Sequence, residues 1–286
     1  MKRTEIIMVV LAFASMCCAE PSLAQGQAAA NQTPAKDAQA ATPAAPATGK
    51  RPPQAKTQPE FDAYQAAMAS AGPAALEKAA DDFAQKYAES ELRILLYKQA
   101  LRTYQAANNA EKMQDMGRKV LALDGDDPEA LVAVAQALAE RTRDTDLDKD
   151  QKYAEAQKLA EKALQTVDTD VAVPAGTPQE KIDLFKGFLR SSAYSVLGTI
   201  YFSKDTKENY VKAEENLRKS IDAFPSQPDP VSVLRLAIAL DKQGRYTDAL
   251  TEANKAVEMT KEGTPVGDPA RREQSRLQKL TANSIK

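Results

Sequence analysis

The feature that most limits what this chain can become is a pattern of large and small side chains that returns with nearly constant spacing. Tyr194, Leu197, Gly198 and Tyr201 fall on one face of a helix, and Ala213, Leu217 and Ser220 on one face of a second helix, before Pro225 ends it. The pattern recurs at Val233, Leu236, Ala237 and Leu240, followed by Gly244, Tyr246, Ala249, Ala253 and Ala256. Gly198 and Ala237 let two helices approach closely, while the large residues fill the space between neighbouring pairs. One such pair cannot hide its apolar face alone, so the pattern calls for a stack.

Looser copies lie upstream. Tyr97, Ala100, Leu101 and Tyr104 precede Met113, Gly117 and Val120, with a turn from Asp124 to Pro128. Leu131, Val134, Ala135 and Leu138 precede Ala156, Ala160 and Ala163 across an insertion in the turn within the pair. Phe61, Tyr64 and Ala67, then Leu76, Ala80 and Phe83, form a degenerate first pair ending near Tyr87. Downstream, Asp268 and Pro269 suit an N-cap and a first helical position, and Leu277, Leu280 and Ile285 supply the apolar stripe of a closing helix. Arg271, Arg272, Arg276 and Lys279 would form that helix's solvated face.

The repeated pattern resembles the tetratricopeptide repeat (TPR), written W-x2-L-G-x2-Y with small or aromatic residues on the second helix and a closing proline. The resemblance is specific at Tyr194 to Pro225 and at Val233 to Ala256, and elsewhere rests on register. Ala213 stands three residues later than the family's spacing, which predicts a longer turn there; Leu101 and Met113 replace small residues. The resemblance implies an all-α chain of antiparallel helix pairs stacked into a right-handed solenoid. The units are read as 59–90, 91–127, 128–168, 183–228 and 229–262, with a loop near 168–180 and a capping helix at 267–286. Pro174, Gly176 and Pro178 make that loop, and a helix starting near Thr177 or Pro178 runs through Ile182, Phe185 and Leu189 into the next unit.

In this family the first helices line a concave groove that takes a protein or peptide. Register places Leu95, Lys98, Arg102 and Gln105, then Val132, Gln136 and Ala139, then Ser195, Thr199 and Phe202, in that groove. Val231, Leu234, Ile238, Asp241 and Lys242 follow in the last unit. Lys98 and Arg102 give the early part positive charge, and Phe202, Leu234 and Ile238 give the late part an apolar floor. A mixed groove of this kind suits an extended or helical peptide. The several Lys, Arg and Asn residues of a carboxylate clamp are not gathered in the sequence.

The N-terminus carries a different signal. Lys2 and Arg3 precede an apolar run from Ile6 to Ala19, and Ser22 and Ala24 stand where a signal peptidase reads small residues. Residues 1–24 therefore read as a signal peptide, which puts the protein in the periplasm or outside the cell. The run is shorter than the ~20 residues that span a bilayer, so no integral span remains after cleavage, with a retained N-terminal anchor as the alternative. Met16 before Cys17 argues against a lipid-modified cysteine. Residues 25–58, rich in Ala, Pro and Gln, read as a disordered linker.

Composition narrows the function. There is no histidine, and the two cysteines, Cys17 and Cys18, lie in the leader, so a cleaved chain lacks the usual members of catalytic dyads and transition-metal sites. No cofactor motif is present. A formal charge of −2, from 38 basic and 40 acidic residues, gives no net attraction to nucleic acid. Asp144, Asp146, Asp148 and Glu155 have the spacing of a calcium loop, but Lys149 replaces the turn glycine, and the competing reading is a polar insertion with Asp150 capping the next helix. The expected function is an exported scaffold, not an enzyme, binding a protein or peptide in its groove, in envelope assembly or secretion. A structural subunit docking through convex or terminal surfaces is the alternative, followed by a hydrolase without a recognised motif. Oligomeric state is left open.

Overall fold

The structure, a computed structural model, describes residues 50–174 and 176–283; the stretch read as a signal peptide, most of that read as a linker, and Ile285 of the expected apolar stripe lie outside the described residues. Those described form eleven α-helices and no strand. In chain order they are α1 (Gln58–Met68), α2 (Pro73–Lys86), α3 (Arg93–Ala106), α4 (Ala110–Leu123), α5 (Pro128–Arg141) and α6 (Lys149–Thr166). There follow α7 (Gln179–Phe202), α8 (Lys207–Ala223), α9 (Pro230–Lys242), α10 (Tyr246–Glu258) and α11 (Gly267–Asn283). Each helix packs on the next in sequence, and the odd-numbered helices also meet directly where α1 touches α3, α5 touches α7, and α7 touches α9. The result is a TPR-like solenoid. No described helix is long and apolar enough to cross a membrane.

Side-chain caps start five of these helices. Thr57 accepts a hydrogen bond from the Glu60 amide while the Glu60 carboxylate accepts one from the Thr57 amide, a reciprocal cap at the head of α1. Asn109, Asp127, Thr206 and Asp229 cap α4, α5, α8 and α9 with their side chains. Two sequence expectations about caps are corrected. Helix α6 begins at Lys149, so Asp150 lies inside its first turn, and the N-cap residue Asp148 makes no capping bond because its carboxylate pairs with Lys152. Helix α11 begins at Gly267, one residue ahead of the expected cap; Asp268 instead accepts from the Gly263 amide at 2.7 Å.

Burial explains why α5 is almost wholly apolar. Its Ala130, Ala133 and Ala137 join a core built from α1 to α4, while Leu131, Val134, Ala135 and Leu138 join a second core with Tyr153, Ala156 and Ala160 of α6 and Leu189, Ala193 and Val196 of α7. A third core gathers Leu217 of α8, Leu236 and Leu240 of α9, Ala249 and Ala253 of α10, and Leu277 of α11. The loop between α6 and α7 is more than a spacer: Val171 is buried in the second core.

The small residues act as expected where helices approach most closely. A methyl group on Gly198 would lie 2.7 Å from Cγ and 2.8 Å from Cδ2 of fully buried Leu217. The late Ala213 has a simple origin: the turn 203–206 is only one residue longer than 243–245, and most of the extra length is wound into the start of α8. The expected long turn is thus mainly extra helix. Gly198→Ala is expected to destabilise the chain by ~1–2 kcal/mol, overpacking outweighing the gain in helix propensity. A higher urea midpoint for this variant would show that the two helices are not packed so tightly.

The expected linker ends earlier than residue 58. Residues 50–57 lie against the array, held by ion pairs of Lys50 with Asp124 and Arg51 with Glu91, and Ala55 packs against the first core. The composition of this stretch conceals its partners, which are distant in sequence.

Candidate functional site

The odd-numbered helices wall a groove with two cavities. The central one, about 160 Å³, is lined by Arg102 and Gln105 of α3, Val132, Gln136 and Ala139 of α5, and Ser192, Ser195 and Thr199 of α7. Phe185, Phe188 and Leu189 from the N-terminal half of α7, with Phe224 and Gln227 after α8, complete it. The second, about 900 Å³, lies towards the N-terminus between Leu95, Lys98 and Arg102 of α3, residues 50–54, and residues 171–174. Arg102 and Phe185 line both, so the two are halves of one depression.

The expected groove residues divide into three groups. Arg102, Gln105, Val132, Gln136, Ala139, Ser195 and Thr199 are brought together around the central cavity, and Leu95 and Lys98 around the N-terminal one. Phe202, Val231, Leu234, Ile238, Asp241 and Lys242 line neither cavity. The expected apolar floor does not form. Leu234 is buried with Val233, Ala256 and Ala270, Ile238 packs on the same cluster, and the Phe202 ring meets Tyr210 edge-on at 5.6 Å. Asp241 is engaged by Arg276 of α11 at 2.5 Å, and the Lys242 ammonium lies 6.0 Å from the Tyr210 ring. The terminal helix closes this end and takes up the surface that another pair would have extended. Arg271 and Arg276, read as solvated, are tied to the Thr260 carbonyl and to Asp241.

Lys98 and Arg102 are not free cations awaiting a ligand. Lys98 Nζ lies 2.7 Å from Asp127 Oδ2 and 3.0 Å from Glu129 Oε2, while Arg102 grips Glu129 with Nε at 2.5 Å and Nη2 at 2.8 Å. This quartet joins α3 to the start of α5. Burial alone would raise the Glu129 carboxyl, but Arg102 and Lys98 beside it hold it down at about 2. Lys98 is raised: its desolvation is outweighed by Asp127 and Glu129.

At the other end of the central cavity the hydroxyls form a chain. Ser195 shares a hydrogen bond with Ser232 at 2.8 Å, Ser232 donates to Asp229, and Arg235 donates to Thr199 Oγ1 at 2.8 Å. Burial pushes the Arg235 guanidinium down, against the pull of Asp229 and Glu140. Gln136 donates to Glu140 at 2.9 Å and is half-buried on the wall of the cavity.

The calcium-like carboxylates do not converge. Asp144 pairs with Lys149, Asp146 and Asp148 with Lys152, and Glu155 with Arg118 on α4. Each has a cation of the chain where a metal would stand, and among the described residues no group of three acidic, Cys or His side chains is arranged to hold an ion.

Sequence reasoning missed Phe185, Phe188, Phe224 and residues 50–54 as walls of the groove. The unusual length of α7 was the available signal, because its first turns have no counterpart in an ordinary unit and must cover something.

No family model matches the chain, and no curated protein matches it. Among solved structures it is similar to a thermophilic TPR protein in Thermus thermophilus, with a TM-score of 0.41 and 16% identity over 77% of this chain and 99% of that one. It is also similar to the assembly chaperone of RpL4 (Acl4), with a TM-score of 0.38 and 13% identity over 79% and 99% of the two chains.

Proposed function

We propose that the chain is an exported scaffold that holds an extended or helical segment of another protein in its groove, in envelope assembly or secretion. The observation that carries the reading is the convergence of amide and hydroxyl side chains, Gln105, Gln136 and Ser192, with the rings of Phe185 and Phe188 around one cavity. Amides can pair with a peptide backbone while the rings accept an apolar side chain, the division of labour that peptide grooves use. Export rests on the leader: Lys2 and Arg3, the apolar run to Ala19, and the small residues Ser22 and Ala24.

Two measurements test this. A photo-cross-linking residue at Gln136 should capture one defined polypeptide that the same residue at exposed Glu161 does not. Equal capture at both positions, or none at Gln136, would sink the groove reading. Mass spectrometry of the protein recovered from its native cell should find a chain beginning at Gln25, and an intact leader on all of it would refute cleavage.

A further inference from the structure

The N-terminal half of the groove is walled on one side by a segment that precedes the helices. Residues 50–55 form neither helix nor strand and contain Pro52 and Pro53, which have no amide hydrogen to donate. Arg51 Nη2 donates to both oxygens of Glu91, at 2.7 and 2.8 Å, and the Gln54 amide donates to the same carboxylate at 3.1 Å. Lys50 Nζ lies 2.6 Å from Asp124 at the end of α4 and 3.8 Å from Asp170 in the loop after α6. Lys56 donates to the Glu89 carbonyl at 3.0 Å. Pro52 and Pro53 are half-buried on the wall of the 900 Å³ cavity, facing a space bounded by Leu95, Val173 and Phe185.

Two properties make this contact reversible. Its ion pairs are solvent-exposed, with Arg51 and Glu91 side chains 60% and 42% accessible, and such pairs hold weakly and are screened by salt. Its backbone adds little, since the Gln54 amide is the one main-chain donor from residues 50–55 with a partner on the array among the described bonds. The recognising surface on the array is nevertheless specific: Glu91, Asp124 and Asp170 lie on three separate elements and all face the two cations.

We propose that residues 50–56 are a resident strap over the N-terminal half of the groove. The segment of a partner protein that enters there has the same chemistry, two adjacent cations followed by two prolines, and displaces the strap. This rests on the peptide-binding reading above and names the ligand class for one half of its groove.

The test uses the full chain and a fluorescent peptide with the sequence of residues 50–57, read by anisotropy at low salt. The tethered strap competes intramolecularly in the wild type, so a Lys50→Glu/Arg51→Glu variant should bind the peptide at least about tenfold more tightly. Adding Glu91→Lys to that variant should remove the binding, and raised salt should weaken it. Circular dichroism and melting should change little, because the altered side chains are on the surface. Equal binding by wild type and double variant, no binding to the double variant, or indifference to Glu91→Lys would each overturn the proposal. Cross-linking from Gln136 reports on the other half of the groove, so its persistence alongside a failed peptide assay would remove the strap inference alone.

Discussion

Replacing Glu129 with Gln is expected to lower folding stability by ~3 kcal/mol at neutral pH, measured as a fall in the urea midpoint with an unchanged slope. The shape of the side chain is kept, so no cavity contributes. What changes is charge: Arg102 loses its only carboxylate partner at contact distance among the described residues, while Lys98 keeps Asp127. Both cations are mostly withdrawn from water, at 15% and 13% accessibility, and the solvent that remains moderates the loss. The pH dependence has a definite sign. The folded Glu129 carboxyl is held at about 2 against an ordinary value of 4.5, so the unfolded chain takes up the proton first as acidity rises. Its contribution is complete above about 4.5 and is lost as pH falls towards 2. The wild type should therefore lose more melting temperature across that window than the Gln variant, and parallel curves would show that the quartet does not act as drawn.

Leu277→Ala is expected to cost ~2–4 kcal/mol, because Leu277 is fully buried against the third core and its neighbours cannot close the space. Position should matter as much as size. In an array where each helix leans on its sequence neighbours, damage at an end stays near that end. Hydrogen exchange should quicken in α10 and α11 and leave α3 to α6 nearly unchanged. A uniform loss of protection along the chain would mean that the array unfolds as one unit.

How much of this was legible in the sequence depends on how far apart the interacting residues lie. The pairing of helices was readable because its cause is local: Gly198 and Leu217, or Ala237 and Ala249, sit at fixed offsets within one unit. Arg102, Val132 and Ser195, which line the central cavity, sit at positions set by the same register. The last unit misled because its first helix was treated as one more interior member, whereas α11 supplies Arg276 and Leu277 to it and occupies the surface the pattern left vacant. The strap was hidden for a related reason. Lys50 and Arg51 sit in a stretch whose composition argues for no structure, and their partners, Asp124 and Glu91, lie far along the chain. Lys98 and Arg102 line the cavities, but periodicity carries no information about Glu129 reaching back to neutralise them.

The direct meetings of α1 with α3, of α5 with α7 and of α7 with α9 run along one side of the array, and no two even-numbered helices meet to the same extent. Between α3 and α5 the charged quartet stands beside the apolar contacts of the first core. Acid would loosen the quartet, so the grip of α3 on the head of α5 would depend on the proton concentration around it.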